Sequence, residues 1–134
     1  MNNEEYGKFG EMLAIKYLKK QGYKILVANY SSKVGEVDII AIETKKARKK
    51  QEDYKSLPKE IKREDILVFV EVKSRRKAGA IRPSDAVNNK KKMHYSSVAN
   101  SFRLYNPKFA SLSYRFDIIE VVGEEVVSHL VDAF

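Results

Sequence analysis

Apolar and polar positions follow two different periods along this chain, and these periods predict the order of its helices and strands. Residues 3–21 carry apolar side chains at the spacing of a helix, and Gly22 follows as a helix-ending residue. Five segments are rich in β-branched and aromatic residues and predict strands. These segments are 24–30, 35–42, 66–74, 113–122 and 126–131. A second long helix is predicted from Ser84, a capping residue, to about Tyr105.

The resulting order is one helix, three strands, a second helix and two strands. Helices and strands combined in this way predict an α/β fold with a mixed central sheet flanked by helices. A chain of 134 residues is long enough for one domain with its own hydrophobic core. We therefore expect residues 1–134 to form a single domain.

Residues 44–65 interrupt this pattern between the second and third predicted strands. The segment is polar, with nine basic and five acidic residues, and it is longer than most strand connections in a compact domain. Two interpretations stay open. The segment is either a basic inserted loop or arm, or it holds a short helix near 45–55 that ends before Pro58.

Glu71 and Lys73 lie inside the most apolar predicted strand, within the stretch from Val68 to Arg76 that reads VFVEVKSRR. Side chains alternate between the two faces of a strand, so Glu71 and Lys73 share a face with Phe69. Burying a charge without a partner is costly. The two side chains are therefore either a structural ion pair or part of a functional site.

Two further acids break the local pattern of their elements. Asp38 lies in the second strand, where aspartate is disfavoured, and strict alternation places it on the face of Ile40. Glu11 lies on an apolar side of the first helix, with Gly7 and Gly10 beside it. Glycines inside a helix cost stability, so these two predict that another element approaches this side of the helix closely. The alternative is that Glu11 has no functional role and lies at the solvent-exposed edge of an ordinary contact between the helix and the sheet.

These charged residues suit one type of chemistry. Asp38 and Glu71 lie on neighbouring predicted strands, from which both carboxylates reach one Mg²⁺ or Mn²⁺ ion. The backbone carbonyl of Val72, next to Glu71, is a candidate further ligand. Such an ion activates water and offsets charge on a phosphate, and Lys73 is placed to stabilise charge in the transition state. Glu11 is a candidate ligand of a second ion or of its water shell.

The charge distribution changes this picture by suggesting a partner. The formal net charge is +8, and residues 71–92 alone carry eight basic and two acidic side chains. A basic surface attracts the phosphates of nucleic acid, although a charge run also serves solubility. The candidate phosphate contacts are Arg75, Arg76, Lys77, Arg82, Lys90, Lys91 and Lys92.

The composition disfavours several other classes of protein. The chain has no cysteine, which excludes disulfides and thiolate metal sites and suits a reducing compartment, so we expect a cytoplasmic location. No apolar run reaches the roughly 18 residues of a membrane helix, so no membrane partner is expected. The two histidines, His94 and His129, are expected to be structural or exposed, and glycine-rich nucleotide-binding motifs are absent from the sequence.

The acidic residues and the lysine resemble a known nuclease motif. Asp38, followed after a variable gap by Glu71 and Lys73, is similar to the PD-(D/E)xK motif. Proteins with that motif share a restriction-endonuclease-like core. Lys91, with Tyr95 four residues later, is similar to the Q-x-x-x-Y element of RecB-like nucleases, with lysine in place of glutamine.

A wider resemblance covers nearly the whole chain apart from 44–65. The segments GEMLAIKYLKKQGYKIL, GEVDIIA, VFVEVKSR, RFDIIEV and HLVDAF resemble the YraN family of small bacterial proteins. That resemblance implies a restriction-endonuclease-like core of order α-β-β-β-α-β-β. It also implies a candidate site at Glu11, Asp38, Glu71 and Lys73.

We therefore predict a metal-dependent nuclease that hydrolyses phosphodiester bonds in DNA, with branched or single-stranded DNA as the expected substrate. Mg²⁺ or Mn²⁺ is the expected cofactor. Two alternatives stay open, namely a non-catalytic nucleic-acid-binding protein with the same fold, and a scaffold that meets a protein partner through 44–65. The sequence leaves the oligomeric state open, although a dimer would suit substrates with two-fold symmetry.

Overall fold

The computed structural model of the protein describes residues 1–77 and 89–133. Within this part of the chain, helices lie on both faces of a five-stranded sheet. The strands are β1 (Lys24–Ser32), β2 (Gly35–Glu43), β3 (Ile66–Arg75), β4 (Ser113–Val122) and β5 (Glu125–Leu130). The helices are α1 (Asn3–Lys20), α2 (Lys45–Arg48), α3 (Lys59–Arg63) and α4 (Asn89–Tyr105), with 3₁₀ turns at Tyr54–Ser56 and Pro107–Phe109.

The strands lie side by side in chain order, from β1 at one edge to β5 at the other. Neighbouring strands are antiparallel except β3 and β4, which are parallel. A parallel pair needs a long crossover, and the connection that contains α4 supplies it. The predicted α/β fold with a mixed, helix-flanked sheet is confirmed, and its element order is consistent with a restriction-endonuclease-like core.

The sheet separates two hydrophobic clusters. One cluster lies under α1 and contains Val68 and Val70 of β3, while the other lies under α4 and contains Phe69. This arrangement confirms the alternation predicted for β3. Because Glu71 and Lys73 continue the alternation of Phe69, they lie on the face that α4 covers.

The segment 44–65 is folded at its beginning. Thr44 caps α2 by accepting a hydrogen bond from the backbone N–H of Ala47 at 3.2 Å. Ala47 and Arg48 are buried, and the Arg48 guanidinium lies 3.1 Å from Glu43 Oε1. At this turn the chain is helical, and an arginine paired inside the protein anchors it. The predicted short helix near 45–55 is present over Lys45–Arg48 only, and a basic arm stays a prediction for the rest of 44–65.

Some predicted features lie outside the described residues. These are the start of the second long helix at Ser84 and the candidate phosphate contact Arg82. In the part of the chain that is described, no helix is long and apolar enough to cross a membrane.

Candidate active site

The candidate site begins where β2 and β3 separate. The last pair between the two strands is Ile39 with Val70, and Asp38 follows directly beyond that pair. Asp38 Oδ2 accepts a hydrogen bond from the backbone N–H of Val72 at 2.7 Å, so a side chain takes the place of a strand partner. The half-buried carboxylate of Asp38 thus lies in the fork between the strands.

The strict alternation predicted for β2 is wrong at this fork. Val37 packs in the cluster under α4 together with Ile40, while Ile39 belongs to the cluster under α1. The alternation breaks where β2 stops pairing with β3, while its pairing with β1 continues on both sides of Asp38. As a result Asp38 contacts the edge of β3, instead of sharing a face with Ile40.

Glu71 and Lys73 extend from β3 beside this fork. Lys73 Nζ lies 2.7 Å from Glu71 Oε1, and the Lys73 side chain is 33% exposed against 11% for Glu71. The Tyr95 hydroxyl on α4 hydrogen-bonds to Glu71. Burial, and then the negative charge of Glu71, raises the pKa of Tyr95, so this tyrosine stays a neutral donor that holds the carboxylate in place.

Glu11 reaches the fork from α1. Its carboxyl group interacts with the Asp38 carboxyl and with the Asn29 side chain. Burial, and then the charge of Asp38, raises the pKa of Glu11. Burial also raises the pKa of Asp38, and the Glu71 charge adds to this effect, while the Val72 N–H opposes it. The raised pKa values mean that the ionised forms of these two neighbouring carboxyl groups are less favourable here than in water, and a bound cation would offset that cost.

The structure therefore brings the predicted residues together at one fork. Asp38 interacts with Glu11, Glu71 and Lys73. The backbone N–H and C=O of a strand residue point to the same side, so the Val72 carbonyl also faces the fork.

The donor set can be tested against the metal that the sequence implies. Within residues 1–77 and 89–133, no three Asp, Glu or His side chains are grouped so that together they could cage a metal ion. Mg²⁺ does not need such a cage, because it usually keeps several waters and takes one or two carboxylates together with substrate phosphate oxygens. The hard oxygen donors of Asp38 and Glu71 fit that type of site.

The predicted phosphate contacts are only partly described. Arg75 Nη1 lies 3.6 Å from Glu120 Oε1, so this arginine is held by a neighbouring acid. The Arg76 guanidinium lies 5.0 Å from the centroid of the Tyr6 ring, and Lys77 is exposed. Three further candidates, Lys90, Lys91 and Lys92, belong to the first described residues of α4, with side chains outside the described part.

Sequence reasoning missed one residue of the site, Asn29 on β1. Its φ of +55° is a conformation that asparagine tolerates better than most residues, and its side chain interacts with Glu11 and lowers the pKa of that carboxyl group. An asparagine inside a predicted strand was the available signal, because this residue type is depleted in strands.

Sequence reasoning also missed a buried network on the opposite face of the sheet, the face that α1 covers. The Arg115 side chain contacts Asp117 through Nε and Oδ1 at 2.9 Å, and its Nη1 lies 2.7 Å from Glu43 Oε2. His129 Nε2 lies 2.7 Å from Asp117 Oδ2, which confirms the structural role predicted for His129. The signal was an Arg-x-Asp pair inside the apolar β4, the same type of signal as Glu-x-Lys in β3.

The close approach predicted for α1 occurs at Gly10 and not at Gly7. A Cβ atom added at Gly10 would lie 1.8 Å from Ser74 Oγ and 3.0 Å from Ser74 Cβ, whereas one at Gly7 would meet nothing within 4 Å. Ser74 follows Lys73 on β3, and Glu11 follows Gly10 on α1. The missing side chain at Gly10 therefore lets α1 place Glu11 beside the fork.

We expect Gly10→Ala to lower the free energy of unfolding by about 1–3 kcal/mol, because overpacking outweighs the gain in helix propensity. The matched change Gly7→Ala should raise it by up to about 1 kcal/mol, because that position is open. Urea unfolding of both variants measures the difference. Equal stabilisation by the two substitutions would contradict the close contact with Ser74.

Comparison with known proteins places the chain in a family. The model of "Uncharacterised protein family UPF0102" matches residues 10–121, which include all four predicted site residues. A UPF0102 protein of Clostridioides difficile is 38% identical over 135 residues, and the match covers 100% of both chains. One of Caldicellulosiruptor bescii is 38% identical over 121 residues, covering 90% of this chain and 85% of the relative. The chain therefore belongs to family UPF0102, which is the YraN family.

Proposed function

We propose that the protein is a metal-dependent nuclease that hydrolyses phosphodiester bonds in DNA. The observation that carries this proposal is the meeting of Asp38, Glu71 and Lys73 at the fork between β2 and β3, with Glu11 added from α1. Among the described residues, three carboxyl groups interact there with two ammonium groups, Lys73 beside Asp38 and Glu71, and the exposed Lys8 beside Glu11. A structural ion pair balances its charges, whereas this excess of carboxylate suits a cation.

Each side chain has a distinct task in the proposed reaction. Asp38 and Glu71 would hold the ion, together with the Val72 carbonyl, and Glu11 would hold its water shell. A divalent ion bound there supplies Lewis-acid activation of water and neutralises charge on the phosphate. The Lys73 ammonium donates hydrogen bonds to the attacking water or to a phosphate oxygen and stabilises the negative charge that develops.

Two contacts keep Lys73 in position for this task. Its Nζ lies 2.7 Å from Glu71 Oε1, and the Tyr95 hydroxyl holds the same carboxylate from α4. The lysine side chain remains one-third exposed, which leaves it accessible to a substrate. An ammonium group that is positioned by a carboxylate and still partly exposed can contact a phosphate. A fully buried ion pair cannot.

The choice of DNA as substrate rests on charge. The net charge of +8 is concentrated around β3, and the basic residues Arg76 and Lys77 directly follow its end. Both side chains are exposed, so they are available for phosphate contacts. Phosphate contacts of this kind position a substrate without reading its sequence, so we propose that the structure of the DNA determines which substrate is cut.

Purified protein incubated with several forms of DNA tests the proposal. Supercoiled, linear duplex, single-stranded and four-way-junction DNA are each compared in Mg²⁺, in Mn²⁺ and in EDTA. We expect cleavage of at least one form with a divalent ion and none in EDTA, because the carboxylates act through the ion. If highly pure protein cuts no form with either ion, the proposed activity is wrong. Salt-dependent DNA binding without cleavage would instead favour the binding-protein alternative.

A further inference from the structure

A small cavity lies at the corner where α1 meets the end of β3. Its volume is about 300 Å³, which is near the lower end of the range for ligand pockets. The residues that line it are Met1, Tyr6, Phe9, Arg76, Gly123 and Glu124. Aromatic rings and a guanidinium group are the groups on which nucleobases stack.

The aromatic wall of this cavity is held rigidly. The Tyr6 hydroxyl lies 2.6 Å from the backbone oxygen of Arg75 and 2.8 Å from that of Gly123, and its single proton is donated to one of these two acceptors. Phe9 lies one helical turn further along α1, with its ring centroid 6.3 Å from that of Tyr6. A preorganised wall of this kind loses little conformational entropy when a ligand binds.

The guanidinium of Arg76 lies over the same wall. It is 5.0 Å from the Tyr6 ring centroid, and its Nη2 donates to the backbone oxygen of Met1 at 2.7 Å. These contacts hold the plane of the guanidinium beside the cavity. A fixed arginine plane stacks on a base and also favours the negative charge of the adjoining strand.

The position of the cavity connects it with the proposed site. Arg76 is three residues beyond Lys73 along the chain, which corresponds to roughly 10 Å at the rise of a strand. Phe9 and Glu11 are two residues apart on α1, and Gly10 between them packs on Ser74. A strand of DNA at the fork therefore has this cavity within a short reach.

We propose that this cavity, which we call the base pocket, receives an unpaired nucleobase of the DNA strand whose phosphate lies at the fork. The inference rests on the proposed nuclease function and names its substrate class, DNA with at least one unpaired base. A paired base presents only its edge, whereas stacking on Phe9 and Arg76 needs an exposed ring face. Glu124 at the rim disfavours a phosphate in the pocket and can accept a hydrogen bond from a base.

Binding of fluorescent oligonucleotides in EDTA tests the base pocket without any need for cleavage. The probes are a single strand, the same strand with abasic sites, and the duplex. We expect the normal single strand to bind most tightly, and Phe9→Leu to weaken its binding by about 5- to 150-fold, as for the loss of one stacked base. Phe9→Tyr keeps the ring and should retain the affinity. Tyr105→Leu, which removes a 77% exposed aromatic ring at the end of α4, should also leave binding unchanged.

A 2-aminopurine base within the single strand gives a second readout that needs no variant. Its fluorescence should fall when the wild-type protein binds, because the base stacks on an aromatic ring. The base pocket is overturned if fluorescence does not change, or if Phe9→Leu weakens normal and abasic strands equally. If Phe9→Leu loses base-dependent binding but the wild type cuts no DNA in Mg²⁺ or Mn²⁺, the base pocket is supported and the nuclease activity is refuted. If the wild type cuts DNA but Phe9→Leu binds as well as the wild type, the nuclease activity is supported and the base pocket is refuted.

Discussion

Replacing Lys73 by methionine is expected to reduce DNA cleavage by at least about 100-fold, the usual effect of removing one group that stabilises transition-state charge. Methionine keeps most of the apolar stem of lysine and removes only the ammonium. Without it, the Glu71 carboxylate remains beside the fork but loses the ammonium group that lies 2.7 Å from its Oε1. Initial cleavage rates on the best substrate, at saturating Mg²⁺, measure the effect.

The matched control is Lys77→Met, which removes an exposed lysine beyond the end of β3. This change should weaken DNA binding a few-fold and reduce its salt dependence, because one phosphate contact is lost, while the cleavage rate at saturating DNA stays near that of the wild type. Binding in EDTA should be weakened by no more than a few-fold in Lys73→Met, as in Lys77→Met, because each change removes at most one phosphate contact. Cleavage by Lys73→Met at the wild-type rate would remove Lys73 from the proposed chemistry.

The same pair of variants separates a catalytic lysine from a structural one. If the contact between Lys73 and Glu71 is only an ion pair, its loss lowers the free energy of unfolding and leaves the cleavage rate of folded protein unchanged. Because the Lys73 side chain is one-third exposed, we expect a small effect on stability and a large effect on cleavage.

The face shared by Glu71 and Lys73 could be predicted from the sequence because it depends only on the two-residue period of one strand. The position of Asp38 could not be predicted in the same way. It depends on where β2 stops pairing with β3, which is a property of the whole sheet. The link between Glu11 and Asp38 likewise depends on how closely α1 approaches β3, and Gly10 offered only an indirect sign of that approach.

Local sequence also does not distinguish the two charged pairs of this protein. Glu-x-Lys in β3 and Arg-x-Asp in β4 are equally unusual inside apolar strands. In the folded chain the Asp117 side chain is 0% exposed and the Lys73 side chain 33% exposed. The Arg115–Asp117 pair has a further acidic partner in Glu43. Glu43 lies on β2 and Arg115 on β4, so this partner comes from the other side of β3. Burial and the choice of partner, both set by tertiary structure, separate the structural network from the candidate site.

Removing the central acid of this network is expected to have the largest effect on stability. Asp117→Ala should lower the free energy of unfolding by about 3–5 kcal/mol, because it leaves the buried Arg115 without its main partner. The matched change Asp65→Ala removes an exposed acid and should alter stability by less than about 0.5 kcal/mol. Asp117 lies opposite Val70 on the face covered by α1, so folded Asp117→Ala protein should still cleave DNA at the fork.

The pH dependence of this difference tests whether the charge of Asp117 is responsible. Burial alone would raise the pKa of Asp117, but hydrogen bonds from His129 and Arg115, and the charge of Arg115, hold it below its ordinary value. The unfolded chain, with an aspartate pKa of about 3.9, then binds the proton more tightly than the folded chain. The stability advantage of the wild type over Asp117→Ala should therefore be constant above about pH 5 and shrink as the pH falls below about 4. Urea unfolding at several pH values measures it. An advantage that stays the same down to pH 3 would show that packing, and not the ionised carboxylate, makes Asp117 important.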